Sequence, residues 1–178
     1  MSMITQSQLK KILSYNEYTG LFTWLVDKPK SHIFKAGRIA SCLDVHGYIQ
    51  INIRGNVMKG HRLAWLYMTG EFPNGQIDHI NHVRNDNRWC NLRVVDNEGN
   101  HRNRPKQKNN KTGVVGVCFV NAVGKYLATI WVNKKQVRLG YFKELEDAKA
   151  ARLEANKKYG YSENHGIGLG TPKYKDYR

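Results

Sequence analysis

The chain has few acidic residues and few cysteines. Its 178 residues include 14 Asp and Glu side chains against 29 Lys and Arg, which gives a net charge of +15. An excess of this size is far beyond what solubility requires and indicates a polyanionic partner. The three cysteines, Cys42, Cys90 and Cys118, stand far apart without a CxxC pair. This spacing argues against a disulfide framework and against a structural zinc site.

The sequence also lacks an apolar run long enough to span a membrane. Residues 1–4 have neither the basic start nor the apolar core of a signal peptide. We therefore expect a cytosolic protein with no membrane partner. The length allows one large domain or two small ones.

The positive charge is unevenly distributed. Residues 1–100 carry 12 basic and 8 acidic side chains, net +4, whereas residues 101–178 carry 17 basic and 6 acidic side chains, net +11. The second half is therefore expected to be the electrostatic anchor for the polyanion.

The stretch from residue 77 to residue 100 combines short apolar runs with an acid, a histidine and several asparagines. Asp78 and His79 end the first apolar run, a polar turn follows, and residues 92–95 form a second run. Asp96 is a good N-cap for a helix that would carry Asn100. The pattern predicts a strand, turn, strand, helix module.

This module carries groups suited to phosphate chemistry. Asp78 and Asn100 offer oxygen ligands of the kind that Mg²⁺ prefers, and this ion is often held by only one or two protein groups. His79 cannot share the direction of Asp78, because neighbouring strand residues point to opposite faces. A histidine with a pKa near neutrality can take a proton from water while its neighbour holds a metal.

Together with His61-Arg62-Leu63-Ala64-Trp65, these residues resemble an HNH endonuclease of the His-Me finger group, in its phage and homing-type branch. The resemblance implies that Asp78 and Asn100 bind a divalent metal and that His79 is the general base. It also implies that Asn91, twelve positions after His79, fixes the loop that orients His79, with Asn87 left open as the alternative. The expected ion is Mg²⁺, with Mn²⁺ able to substitute and no structural zinc.

Other polar residues nearby receive simpler interpretations. Four are read as turn formers alone: Asn81, Asn85, Asp86 and Asn87. In the family, the segment around His61 packs behind the metal motif, so His61 is interpreted as a satisfied structural residue. Arg62 is a candidate phosphate contact.

The first hundred residues otherwise predict a small antiparallel sheet and two helices. The expected elements are a helix from residue 5 that ends near 15–16, a strand at 20–25, a hairpin of 47–53 and 57–59, and a helix at 61–68. Gly70 and Pro73 are expected to stop the last of these.

Residues 101–112 form a basic segment without acidic residues. Its five cations are candidate DNA contacts: Arg102, Arg104, Lys106, Lys108 and Lys111. Arg104 would share a helical face with Asn100, four residues earlier. Pro105 then breaks the helix, so residues 105–112 are interpreted as a linker that also lies along the phosphate backbone.

Residues 113–160 predict three strands, at 114–120, 125–132 and 135–139, followed by a helix with an apolar stripe. The stripe comprises Leu145, Ala148, Ala151 and Ala155. Residues 114–117, 124–126 and 139–142, with the alanine-rich helix, resemble the AP2 DNA-binding domain. That resemblance implies that the sheet lies in the major groove of DNA.

Period-two alternation assigns the faces of this sheet. Tyr126, Ala128 and Ile130 should face the helix. The opposite face offers the candidate DNA contacts Lys125, Thr129, Trp131, Gln136 and Arg138, of which Arg138 is the strongest. Because the first strand offers Val115, Cys118 and Val120 rather than arginines, affinity is expected to come mainly from phosphate contacts.

The combined prediction is an α+β protein. Its parts are a nuclease domain at 1–104, a basic linker at 105–112, an AP2-like domain at 113–160 and a loosely ordered tail at 161–178. The expected activity is metal-dependent cleavage of double-stranded DNA that leaves 5′-phosphate and 3′-hydroxyl ends. One motif per chain favours a monomeric nickase, with a dimer that cuts both strands or a silent DNA-binding regulator as alternatives. The order of the two domains is typical of phage-encoded enzymes, which would act in the cytoplasm of a bacterial host.

Overall fold

The computed structural model describes residues 4–27, 35–96, 102–103, 105–107 and 109–167. The chain divides into two units between Val95 and Asp96. In the described ranges the units contain three α-helices and four small antiparallel sheets, so the predicted α+β class is confirmed. No helix within these ranges is long and apolar enough to cross a membrane.

The described residues of unit 1 form two helices, seven strands and a short 3₁₀ turn. In chain order they are α1 Gln6–Ile12, β1 Leu13–Asn16, β2 Leu21–Trp24, β3 Cys42–Leu43, β4 Ile49–Ile53, β5 Asn56–Lys59, α2 Gly60–Thr69, β6 Gln76–His79, the 3₁₀ turn Trp89–Asn91, and β7 Leu92–Val95. The strands form three sheets, β1-β2, β3-β4-β5 and β6-β7. The strand at 20–25, the hairpin and the helix at 61–68 are confirmed.

Local sequence signals explain the start of α1 and the turn between β4 and β5. The Thr5 hydroxyl accepts a hydrogen bond from the Gln8 amide at 3.3 Å, and the Gln8 side chain accepts one from the Thr5 amide at 3.1 Å. This reciprocal cap starts α1. Between β4 and β5, Arg54 and Gly55 both have positive φ, 53° and 88°, as a tight hairpin turn requires.

The first helix is shorter than predicted. Residues 13–16 were expected to complete it, but Leu13 pairs with Trp24 at the start of the β1-β2 hairpin. Both side chains are buried in the core of unit 1. This long-range pairing outweighs the local helical spacing of Leu9, Ile12 and Leu13.

The core of unit 1 links the hairpins to α2 and to the β6-β7 sheet. It includes Leu9, Phe22, Ile51, Leu63 and Leu92, each at most 7% exposed. Full burial of such a side chain stabilises the fold by roughly 1.5–3 kcal/mol. Since Leu92 is the strand partner of His79, the core also fixes the position of that histidine.

The described residues of unit 2 include a three-stranded sheet and a helix that packs against it. Its elements are β8 Val117–Val120, β9 Lys125–Val132, β10 Lys135–Phe142 and α3 Leu145–Lys158, and the strand order is β10-β9-β8. Ala128 and Ile130 are at most 1% exposed, whereas Trp131 is 57% exposed. The predicted alternation along β9 is therefore confirmed, and Ala148 and Ala155 of α3 are buried as expected.

Arg152 is a buried cation that the alanine stripe did not reveal. It is 2% exposed, and its Nε donates to the Val115 carbonyl at 2.9 Å. Its guanidinium also lies 4.9 Å from the ring centre of Tyr161. Burial is the main cause that lowers the pKa of Arg152. The side chain therefore ties α3 to the loop before β8.

Residues 161–167 and part of the basic segment also lie within unit 2. The Tyr161 hydroxyl donates to the Trp131 carbonyl at 2.7 Å. The Lys106 amide donates to the Ile167 carbonyl at 3.1 Å, so the predicted linker and the first part of the predicted tail are hydrogen-bonded to each other. The helix expected to carry Asn100 lies outside the described residues.

Candidate active site

The β6-β7 sheet places Asp78 and His79 in different surroundings. Asp78 pairs with Arg93 across the sheet, and His79 pairs with Leu92. Neighbouring side chains of a strand point to opposite faces, so the carboxylate meets a cation while the imidazole points to the other face and is buried. His79 is only 5% exposed.

A buried hydrogen bond orients the ring of His79. Its Nε2 lies 3.0 Å from Oδ1 of Asn87, which is 1% exposed. Because a carboxamide oxygen can only accept, Nε2 carries the hydrogen and the neutral ring keeps its lone pair on Nδ1. Burial lowers the pKa of His79 below its ordinary value of 6.5, more than the bond to Asn87 and the charge of Asp78 raise it. The ring is therefore neutral near pH 7, as a general base requires.

Asn91 closes the turn that carries these groups. Its side-chain oxygen accepts from the Asn81 amide at 3.0 Å, and its Nδ2 donates to the Asp86 carbonyl at 2.8 Å. The two bonds join opposite ends of the turn between β6 and the 3₁₀ turn. Asn91 thus holds the turn, and Asn87 contacts the ring of His79 directly, so the two asparagines that the sequence offered as alternatives have separate contacts.

Asp86 is a second anchor within this turn. Arg88 donates to both of its carboxylate oxygens, at 2.8 and 2.6 Å, and Asn81 donates to Oδ2 at 2.8 Å. Burial by itself would raise the pKa of Asp86, but the hydrogen bonds from Arg88 and Asn81 lower it below 3.8. The interpretation of Asp86 and Asn87 as turn formers alone is therefore wrong, because both side chains are buried and hydrogen-bonded.

Two residues outside the turn, Gly60 and Tyr15, contact Asn87 and fix its position. A Cβ at Gly60 would lie 2.7 Å from Nδ2 of Asn87 and 3.0 Å from a methyl group of Ile49, so only glycine fits at the start of α2. The hydroxyl of Tyr15 donates to the Asn87 carbonyl at 2.6 Å. The glycine before His61 was the sequence signal for this close approach.

His61 lies beside the candidate base. The ring centres of His61 and His79 are 5.2 Å apart at 89°, and the Tyr48 ring lies 5.4 Å from His61 and 5.8 Å from His79. Burial, with a smaller effect of the neighbouring His79 charge, lowers the pKa of His61 to about 3. Within the described part of the chain, Nδ1 of His61 is buried without a hydrogen-bond partner, so the expectation of a satisfied histidine is wrong.

The type of donor at Asp78 fits a hard divalent cation. A carboxylate oxygen is the ligand that Mg²⁺ prefers, and waters and substrate oxygens commonly complete its coordination. Asp78 Oδ2 also accepts from Arg93 Nε at 3.0 Å and pairs with Nη2 at 2.9 Å. Asn100, the predicted second ligand, lies outside the described residues. Among the residues described, no group of three or more His, Cys, Asp or Glu side chains could hold a metal ion.

The predicted DNA contacts of unit 2 share one face of its sheet. Strand register sets Gln136 opposite Trp131 and Arg138 opposite Thr129, and Gln136 donates to the Thr129 hydroxyl at 3.2 Å. The Arg138 guanidinium lies 5.5 Å from the ring centre of Tyr141. The alternation therefore places these four side chains together, on the face away from α3.

The remaining candidate DNA contacts lie in both units. Lys111 is exposed, and Arg102, Lys106 and Lys125 are half-buried. In unit 1, the Arg62 guanidinium lies 5.8 Å from the ring centre of Phe72. Arg104 and Lys108 lie outside the described residues.

Comparison with known proteins supports one class of enzyme for the site. Residues 59–102, which include Asp78, His79, Asn87 and Asn91, match the family model described as HNH endonuclease. No curated protein and no solved structure matches the chain. The match supports an HNH nuclease and confirms the prediction of an enzyme that hydrolyses phosphodiester bonds. Nucleases of this family generally use a divalent metal and act on DNA.

We predict that His61 makes unit 1 sensitive to acid. Below about pH 6.5 the unfolded chain binds a proton at His61 that the folded chain, with a pKa of about 3, does not bind, so the free energy of unfolding falls as the pH falls. One such proton costs up to about 1.4 kcal/mol per pH unit. The free energy of unfolding is measured by denaturant titration at pH 7 and at pH 5. Its decrease between these two pH values should be about 1–2 kcal/mol smaller in His61→Phe than in the wild type.

The exposed His46 provides the control for this measurement. His46→Gln should keep the pH dependence of the wild type. Equal pH dependence of His61→Phe and the wild type would contradict the assignment of a buried, neutral His61.

We also predict different effects for the two asparagines. Asn91→Ala removes both bonds across the turn and leaves buried backbone groups unpaired, which should destabilise unit 1 by about 1–3 kcal/mol. Asn87→Ala should lower the rate of DNA cleavage further than Asn91→Ala does, because the ring of His79 loses its hydrogen bond to the Asn87 carboxamide. Thermal unfolding and cleavage rates of the two variants measure this, and a normal cleavage rate in Asn87→Ala would contradict it.

Proposed function

We propose that the protein is a homing-type DNA endonuclease that nicks one strand of double-stranded DNA per binding event. The observation that carries the proposal is the bond from His79 Nε2 to Asn87 Oδ1, which orients a neutral imidazole beside Asp78. The family match supplies the class of reaction.

In the proposed reaction, His79 takes a proton from water through Nδ1. The oxygen of that water attacks the phosphorus of the scissile phosphodiester, and the bond from phosphorus to the 3′ oxygen breaks. The departing 3′ oxygen takes up a proton from solvent. The products carry 5′-phosphate and 3′-hydroxyl ends. A Mg²⁺ ion held by Asp78 and Asn100, or Mn²⁺ in its place, would neutralise the charge that develops on the phosphate and on the leaving oxygen.

Within the chain, Asn91 and Asp86 act indirectly. Their hydrogen bonds fix the turn, and the turn presents Asn87 to the imidazole. Such positioning groups hold a base in the geometry of the reaction, and small displacements cost rate. Asn91 is therefore proposed as a positioning residue of the site.

Unit 2 is proposed as an AP2-like module that binds DNA. Its outward sheet face carries Thr129, Gln136 and Arg138 beside the 57% exposed Trp131. The charge of +11 over residues 101–178 favours a polyanion. Because β8 contributes no arginine, contacts with phosphates rather than with bases should supply most of the affinity. Arg62, Arg102, Arg104, Lys106, Lys108, Lys111 and Lys125 are the proposed further contacts.

Two alternatives to the nickase predict different products from DNA. A dimer would bring two motifs to one site and cut both strands. The ion pair of Arg93 with Asp78 favours the other alternative, a catalytically silent DNA-binding regulator, because it occupies the candidate metal ligand. A cleavage assay separates the three.

We predict that the protein converts supercoiled plasmid to relaxed circles with Mg²⁺ and leaves it intact with EDTA. His79→Ala should lower cleavage by about 10²–10⁴-fold, because the general base is lost, with DNA binding nearly unchanged. His46→Gln removes an exposed imidazole but keeps the backbone carbonyl of that residue, so it is the matched control and should cut normally. Linear product would indicate a dimer, and intact plasmid with Mg²⁺ would indicate the silent regulator. Normal cutting by His79→Ala would exclude His79 as the base.

A further inference from the structure

Arg84 is an exposed cation that is held in place beside the candidate active site. It lies on the turn between β6 and the 3₁₀ turn, and its guanidinium is 5.2 Å from the ring centre of Tyr48. Its Nη1 donates to the His46 carbonyl at 2.9 Å. Both contacts are with uncharged groups, so the side chain is oriented without being neutralised.

The same tyrosine ring faces the two histidines. It lies 5.8 Å from the ring centre of His79 and 5.4 Å from that of His61. The charge of Arg84 is also among the smaller causes that lower the pKa of His79. Arg84 and the candidate base therefore flank one aromatic ring.

A second cation on this ring has a different environment. Lys59 Nζ lies 5.7 Å from the ring centre of Tyr48, but Lys59 forms an ion pair with Asp44. Arg84 forms no ion pair with any carboxylate in the described part of the chain. Of the two, only Arg84 has a positive charge that remains uncompensated.

A guanidinium that is held in place without an ion pair is suited to binding a phosphate. It carries five N–H donors in a planar fork, and the bond to His46 uses one of them. Two parallel bonds from the remaining donors match the oxygens of a phosphodiester. The contact with the Tyr48 ring limits the freedom of the side chain, which reduces the entropy lost on binding.

We propose that Arg84, supported by Tyr48 and the His46 carbonyl, binds a backbone phosphate of the DNA strand next to the scissile phosphate, which is attacked by the water that His79 deprotonates. The proposal rests on the proposed nuclease function, since it places the cleaved strand at His79. Arg84 is a positioning residue: it holds the strand and leaves proton transfer to the histidine.

The test compares Arg84→Gln with Arg54→Gln. Both substitutions remove one exposed positive charge from unit 1, and Arg54 lies in the turn between β4 and β5. Binding of a short DNA duplex is measured in EDTA, without cleavage, over a range of salt concentrations. Arg84→Gln should weaken binding by about tenfold and reduce the slope of log affinity against log salt by about one, as expected for one lost phosphate contact. Arg54→Gln should leave both unchanged.

Arg84→Lys separates charge from geometry. It keeps the positive charge and should retain the salt dependence of the wild type, but it cannot form the bidentate contact and should bind less tightly. In Mg²⁺, Arg84→Gln should raise KM for DNA while the rate at saturation changes less, as lost ground-state binding requires. Thermal unfolding of each variant confirms that it is folded before binding is compared.

The outcomes distinguish this proposal from the proposed function. If the affinity and salt slope of Arg84→Gln equal those of Arg54→Gln, the phosphate contact is overturned, whether or not the wild type cuts DNA. If the slope falls but the wild type never cuts, the contact stands and the nuclease proposal fails. If Arg84→Gln is unfolded while Arg84→Lys is folded and binds with full affinity, a bidentate contact is likewise overturned.

Discussion

The hydrogen bond between His79 and Asn87 is the interaction on which the site depends. Both partners are buried, so the bond forms in surroundings where a displaced partner would have no water to replace it. Its length of 3.0 Å leaves little tolerance in the position of the turn. The surrounding contacts of Asn91, Asp86 and Gly60 are best understood as the means by which unit 1 keeps that bond.

The same sheet separates the charged and neutral parts of the site. Asp78 forms an ion pair with Arg93 on one face, while burial keeps His79 neutral on the other. A general base must be unprotonated and a carboxylate ligand must be ionised, and strand alternation supplies both environments from adjacent residues. The rings of Tyr48 and His61 pack against the imidazole, and Arg84 contacts the Tyr48 ring.

Sequence reasoning succeeded where the determining signal was local. The capping residues Thr5 and Gln8, the turn at Arg54 and Gly55, and the alternation along β9 each follow from neighbours within a few positions. It failed for β1, because the pairing of Leu13 with Trp24 depends on a hairpin partner eleven residues away. It also missed Arg152, a buried cation on a helical stripe of alanines. Its burial depends on contacts with the Val115 carbonyl and the Tyr161 ring, which the helical pattern does not contain.

The candidate site was predictable in its residue types but not in its internal contacts. The spacing of Asp78, His79 and Asn91 identified the motif, and the family match over residues 59–102 supports the class. The sequence did not reveal that Asn87 meets the imidazole, because a residue of a polar turn is ordinarily solvated. Its burial follows from Gly60 and Tyr15, which lie 27 and 72 positions earlier in the chain.

The state of the His79 ring is the most direct test of this account. Nitrogen NMR of ¹⁵N-labelled protein distinguishes a ring with its hydrogen on Nε2 from one with its hydrogen on Nδ1. The account predicts that His79 at neutral pH is uncharged with the hydrogen on Nε2, and that Asn87→Ala changes this signal. A charged ring, or a neutral ring with its hydrogen on Nδ1, would contradict the assignment of His79 as a base oriented by Asn87.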